Sequence, residues 1–151
     1  MTVIAAWWGA GIATVTLIFN VIKWFSSGPK ICISANYNMN FVGEDETKYL
    51  IIAASNIGDQ KTEISLLSAR YYANLFKYIL KKPSKNMILI PNEQGDTLPS
   101  EINPGAQKKF LIRQNRSEPD MFENMVKNGY LEIFLSYIHS TKPIRIRLKA
   151  K

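Results

Sequence analysis

The first apolar run is unlike anything that follows it. From Val3 to Phe25 the chain reads VIAAWWGAGIATVTLIFNVIKWF, and residues 1 to 22 carry no charged side chain. A helix rises about 1.5 Å per residue, so about 20 apolar residues cross a hydrocarbon core about 30 Å thick. The pattern predicts a transmembrane helix over residues 1–25. Trp7 and Trp8 lie near one end, Trp24 and Phe25 near the other, where interfacial aromatics belong, and Lys23 can reach the headgroups. A cleaved signal peptide fits less well, because no Lys or Arg precedes the run and Ser26-Ser27-Gly28 is a poor cleavage site. An in-plane helix needs a polar face, and this segment has none. A buried core helix of this length is unusual in a small domain.

Beyond it the period changes from helical to alternating. Ser26-Ser27-Gly28-Pro29 ends the helix and opens a linker over 26–30. Strand signals then recur between turns over residues 31–151. Ile31 to Ala35 alternates, and Lys48 to Ser55 is a near-continuous apolar run, as in a central strand. Asn56-Ile57-Gly58-Asp59 reads as a turn. Thr62 to Tyr72 switches parity between Leu66 and Leu67, which predicts a bulge or a strand passing between sheets. Leu75 to Lys82 fits either a helix face or a strand, and its aromatic content favours a hairpin partner. Met87 to Ile90 reads as a short strand, Asn92 to Ser100 as loop, Asn103-Pro104-Gly105 as a turn, and Lys109 to Gln114 as a strand. Glu118 to Asn128 has helix character with Gly129 as its stop. Tyr130 to Ile138 and Pro143 to Leu148 close the chain as a hairpin through His139 to Lys142. About seven to nine short strands without βαβ alternation predict a mainly β fold: the N-terminal transmembrane helix, then an antiparallel β-sandwich with one short helix.

The predicted helix has two unlike sides. At 100° per residue, Ala6, Gly9, Ala10, Ala13, Thr16 and Asn20 share one face, while Ile4, Trp8, Val15, Ile18, Phe19 and Ile22 share the other. Small residues let helices approach closely in lipid, and an amide there favours a cross-helix hydrogen bond, so the small face is a candidate self-association seam. The plainer reading is that Gly and Ala are simply common in spans. The N-terminal flank has no Lys or Arg, whereas Lys23 and Lys30 follow the run, so the positive-inside rule predicts a single pass through the inner (plasma) membrane with a cytoplasmic C-terminal domain.

Composition changes this picture mainly through charge. The 151 residues hold 19 Lys+Arg against 12 Asp+Glu, a formal charge of +7. Lys23 guards the span, leaving 18 cations and all 12 acids, +6, for the domain. The mean hydropathy of -0.10 averages an uncharged span with a hydrophilic domain. The last strand alternates Ile144, Ile146 and Leu148 with Arg145, Arg147 and Lys149, which puts three aliphatics on one face and a stripe of cations about 13 Å long on the other. Together with Lys108 and Lys109 this is the candidate site for anionic lipid or another anionic ligand. The bland alternative is an edge strand guarded by charge. A second basic group, Lys77, Lys81, Lys82 and Lys85, lies near Tyr71, Tyr72, Phe76 and Tyr78, a mixture seen on stacking surfaces and, more often, in cores.

Catalytic signals are poor. One Cys, Cys32, excludes an intramolecular disulfide and any all-cysteine zinc site, and one His, His139, excludes HExxH. No phosphate-binding loop, dinucleotide fingerprint or nucleophile elbow occurs. His139 reads as a turn residue, and Glu44-Asp45-Glu46 as a solvated hairpin tip lacking the glycine spacing of a cation loop. No catalytic residue, metal ligand or cofactor is assigned. In a cytoplasmic domain the Asn115-Arg116-Ser117 sequon has no consequence.

The strings YLIIAASNIGDQKTEI and LPSEINPGAQKKFLI, within residues 48–114, resemble small immunoglobulin-like sandwich domains of bacterial proteins, where an N-x-G turn joins two strands and an LP-x-x-I-x-PG segment leads into a later one. The Cys…Trp…Cys core of antibody domains is absent, since no Trp follows Trp24. One span followed by a small β domain is also similar to membrane-tethered bacterial proteins, including effectors of anti-phage defence. The small-residue seam, the basic stripe and the missing catalytic motifs together lead to the expectation of a non-enzymatic binding or effector module, oligomerising through its helix to act at the membrane. Expected partners are the bilayer's anionic headgroups, a second copy of the chain and a protein on the sandwich, with a nucleotide or nucleic acid as a minor alternative. Rival readings are an anchor subunit of a larger complex, a small enzyme with an unseen pocket and an extracytoplasmic ligand-binding domain.

Overall fold

The computed structural model describes residues 2–40, 48–114 and 120–149, and the side chains of the first helix from Ala6 to Trp24. The Glu44-Asp45-Glu46 run, the Asn115-Arg116-Ser117 sequon and the side chain of Ile4 lie outside the described residues.

Helix α1 spans Thr2–Ser26. Its segment Ala6–Trp24, 19 residues, is long and apolar enough to cross a membrane, and none of it is buried against the rest of the chain. Trp7, Trp8, Phe19 and Trp24 all stand exposed. The hydroxyls of Thr14 and Thr16 donate back to the carbonyls of Ala10 and Ile12, both at 2.9 Å, so neither needs a partner outside the helix.

Among the described residues eight strands follow: β1 Ile31–Asn40, β2 Lys48–Asn56, β3 Thr62–Tyr72, β4 Lys85–Ile88, β5 Ser100–Ile102, β6 Gln107–Arg113, β7 Tyr130–Tyr137 and β8 Ile144–Leu148. Short helices α2, Leu75–Ile79, and α3, Met121–Asn128, interrupt them. All pairings are antiparallel and form two sheets, ordered β1-β2-β6 and β4-β3-β7-β8, with β5 also pairing β3. Both sheets feed one apolar core. Leu50, Ile52 and Phe110 come from the first sheet, Ile64, Leu67 and Ile133 from the second, and Phe122 and Val126 of α3 close one end.

The parity switch in β3 is a bulge, seen as a register shift between Ile64 and Leu66 against β7. A second shift, between Asn36 and Met39 of β1, coincides with Asn38 at φ 57°, a left-handed conformation that Asn tolerates. The unbroken apolar run of β2 is explained by cover on both faces. Leu50, Ile52 and Ala54 face the core, while Tyr49, on the other parity, lies under the loop near Gln94.

Two expectations are corrected. Residues 75–79 are helix α2, not a hairpin strand, so the described residues hold two short helices besides α1. Asn74 caps α2 through its side-chain oxygen, which accepts from the amide of Lys77 at 2.9 Å. The hairpin partner of β3 is instead β4, ten residues further on, with Tyr71 opposite Lys85. Strand β5 falls where the pattern assigned nothing beyond a loop. Three residues are too few to show a period, and its pairing of Ile102 with Thr62 is non-local.

At the end of the sheets where α1 enters, one buried side chain ties four segments together. Asn56, wholly buried, donates through its amide nitrogen to the carbonyls of Gln60 (2.7 Å) and Ile102 (3.2 Å), and accepts from the amide of Gly58 (3.0 Å). Its backbone N–H donates to Ala106, and its carbonyl accepts from Gly105. The linker lies against the turn that Asn56 organises. The amide of Ile57 donates to the Lys30 carbonyl at 2.8 Å, and that of Gly28 to Asp59 Oδ1 at 2.6 Å. Gly58 makes this approach possible, since a Cβ there would sit 2.2 Å from the Gly28 carbonyl oxygen and 2.5 Å from the Lys30 nitrogen.

Both obstacles are backbone atoms, so Gly58→Ala is expected to force the linker off the turn and cost about 1–3 kcal/mol. Asn56→Ala, which orphans two carbonyls and an amide, is expected to cost about 2–4 kcal/mol. Chemical denaturation of the full chain in detergent checks both. In Gly58→Ala, hydrogen exchange should rise at Gly28 and Ile57 ahead of the core strands.

Candidate functional site

The five-stranded sheet has a second face, turned away from the core. Across it runs a row of facing residues: Arg70 of β3 opposite Glu132 of β7, and Glu132 opposite Arg147 of β8. The next row pairs Ser68, Phe134 and Arg145. One residue beyond Tyr71, Tyr72 completes the outward parity of β3 and is buried because α2 folds over it.

Tyr78 is the pin that holds α2 there. Its ring meets Tyr72 edge-on at 5.3 Å and stacks on Tyr130 at 4.9 Å, and its hydroxyl donates to Glu132 Oε1 at 3.2 Å. The Arg147 guanidinium lies 4.4 Å from the Tyr130 ring centroid, and that of Arg70 lies 4.6 Å from Phe134. Burial first, and then the Glu132 charge, push the Tyr72 phenol above its ordinary range, so it stays protonated as a donor.

Between α2 and the strands is a depression of about 350 Å³ lined by Arg70, Tyr72, Tyr78, Lys81, Glu132 and Arg145, with Ile79 and Phe134 beside them. Among the described residues, no carboxylate oxygen lies within 4 Å of the cationic groups of Arg70, Lys81, Arg145 or Arg147. Glu132 is nearly buried and engaged by Tyr78, so it balances only part of this charge. Three cations above aromatic walls make a place where an anion with a planar or apolar portion can be held by charge-assisted hydrogen bonds and ring contact.

The proposed cation set is divided by the fold. Arg145 and Arg147 point outward from β8, an edge strand, with Ile146 and Leu148 against the core. Lys149 follows, its carbonyl accepting from the Tyr37 hydroxyl at 3.3 Å. Lys108 and Lys109 lie on β6 in the other sheet, where they pin the preceding loop. Asp96 receives Lys108 Nζ and the Lys109 amide, each at 2.8 Å. Of the second basic group, Lys81 reaches the depression, and of the aromatics Tyr72 and Tyr78 wall it, while Tyr71 packs toward the core and Phe76 stands in solvent. His139, exposed in the β7–β8 turn, contacts the Thr62 hydroxyl at 3.1 Å.

Sequence reasoning missed Arg70, Glu132 and Phe134. The available signal was a charge at outward parity in each of two strongly apolar strands, LLSARYY and YLEIFL. On α1, Ala6, Gly9, Ala10, Ala13, Thr16 and Asn20 do share a face of a regular helix, and a Cβ on Gly9 would meet nothing within 4 Å.

Compared with protein-family models and with curated proteins, the chain matches none.

Burial works to raise the Asp96 carboxyl, but the Lys108 hydrogen bond, the Lys109 amide and the Lys108 charge outweigh it and hold the group below its usual value of 3.8. A carboxyl lowered on folding stabilises above its unfolded value, and this contribution fades as pH falls below 3.8 through the lower folded value. Asp96→Asn is therefore expected to cost about 0.5–1 kcal/mol at neutral pH, given the partial exposure of the pair, with the difference from wild type closing below pH 3.8 in a denaturation series.

Proposed function

We propose that this chain is a non-enzymatic, single-pass membrane-tethered binding module whose β domain captures a phosphate-class anion on the outward face of β3, β7 and β8. The observation that carries this reading is the depression whose cations lie beyond ion-pair distance of every described carboxylate, on a domain joined to an apolar helix none of which is buried against it. In this reading α1 crosses the inner membrane and the domain is cytoplasmic, supported by Lys23 and Lys30 on the domain side of the span. The domain is an immunoglobulin-like sandwich. In support, β1-β2-β6 corresponds to an A-B-E sheet and β4-β3-β7-β8 to a C′-C-F-G sheet around a shared core. The small face of α1 makes it an oligomerising effector, with anion capture by the domain as the input and helix association as the output.

Titration of the full chain in nanodiscs with inorganic pyrophosphate tests the site. Arg70→Ala and Arg145→Ala are each expected to weaken binding about tenfold or more, since each removes a charge-assisted contact. Lys108→Ala, already paired with Asp96, should leave it unchanged. Absence of binding, or an equal loss in Lys108→Ala, would sink the assignment.

The membrane arrangement is tested in cells. An alkaline-phosphatase fusion after Lys151 should be inactive, and Ala13→Leu should reduce the cross-linked oligomer. An active fusion would turn the domain to the opposite side.

A further inference from the structure

Helix α2 presents its apolar side the wrong way for a helix on a water-soluble domain. At 100° per residue, Leu75, Ile79, Phe76 and Leu80 fall on one arc, and that arc faces solvent, with Phe76 71% and Ile79 66% exposed. Tyr78, on the opposite side, is the residue locked onto Tyr72, Tyr130 and Glu132. The anchor therefore fixes the apolar arc outward. Ile88 of the edge strand β4, opposite Ser68 on the outward face of the same sheet, is likewise 71% exposed. Around it the charge is of one sign: from Ala73 to Asn92 the chain carries Lys77, Lys81, Lys82 and Lys85 and no acidic residue.

We infer that the α2–β4 surface is a second membrane contact, docking on an anionic bilayer with its apolar arc at the headgroup–acyl boundary and its lysines among the headgroups. Charge complementarity selects this occupant. Flexible lysines around exposed aliphatic and aromatic side chains match a fluid anionic interface, which demands no fixed shape. The tether makes the contact intramolecular, because α1 holds the domain within reach of lipid. Geometry then sets the attitude of the domain. The linker meets the sheets at the Asn56 end of β3, and α2 follows its far end, Tyr72, about 35 Å away along the strand. For α1 and α2 to touch one bilayer, β3 lies along the membrane instead of standing on it.

The inference rests on the tether reading for access to lipid, and its test separates the two. The full chain, as Cys32→Ser with Phe76→Cys carrying an environment-sensitive NBD label, is reconstituted into vesicles of phosphatidylcholine alone or mixed with phosphatidylserine. Co-flotation with both kinds of vesicle reports insertion of α1, and the label reports docking of α2. The expected result is a blue-shifted label, quenched by nitroxide-bearing lipid, in the anionic vesicles only. Ile88→Cys should report the same, and Lys109→Cys, on the other sheet, should not. Each lysine near an anionic surface favours docking about fivefold, so Lys77→Gln with Lys82→Gln should weaken it about 25-fold while sparing Lys81 of the depression. A label that stays in water in both lipids overturns the inference. So does a label shielded equally in both and untouched by lipid-borne quencher, which would place a protein or a second copy on this surface.

Discussion

The domain's relation to its helix depends on the hydrogen-bond knot around Asn56. A buried amide with no partner costs several kcal/mol, and this one uses both of its donors, its side-chain acceptor and its own backbone groups. The turn it shapes brings Ile57 and Asp59 against the linker, and the missing side chain of Gly58 lets the two backbones touch. Only Ser27 lies between the end of α1 and the first clamped residue, Gly28. The connection between helix and domain is therefore a short joint.

From that joint the two sheets run away from α1, and each end has a different character. Near Asn56 the groups are backbone and amide, closed on one another. Further along β3, about 20 Å from Ile64, lie Arg70 and the aromatic depression, and beyond them the outward apolar arc of α2. Tyr78 links the last two features, because one ring both walls the depression and holds α2 with its greasy side out. An anion bound beside Tyr78 and a bilayer under Phe76 would act on the same short helix. Through that helix, the proposed ligand and the proposed membrane contact are physically coupled.

Much of the fold is written in local pattern. The long apolar helix α1 is legible because length and the absence of charge are properties of consecutive residues. Strands β2, β3, β7 and β8 are legible because alternation or a continuous apolar run persists for five or more residues. The bulge in β3 is legible as a change of parity, which the sequence pattern puts between Leu66 and Leu67 and the register puts between Ile64 and Leu66. Short elements were not legible in the same way. Residues 75–79 suit a strand by composition, and what makes them helix is the Asn74 cap together with docking of Tyr78 on residues from β3 and β7. Strand β5 is defined by its pairing with Thr62, Glu63 and Ile64 of β3.

The candidate site shows the same division. Sequence alone determined that Arg145 and Arg147 share the outward face of the last strand, since a period of two needs no partner. It also determined the small-residue face of α1 and the acid-free lysine stretch around α2. Only the tertiary structure decided that Lys108, on the other sheet, is bound to Asp96 of the preceding loop. It likewise decided that Arg70, Glu132 and Arg147 form one row, and that Lys81, just beyond α2, reaches the depression. Those decisions belong to strand register and to packing between segments distant in the chain. Pattern reports which way a side chain points from its own strand, and only register reports which side chain stands opposite.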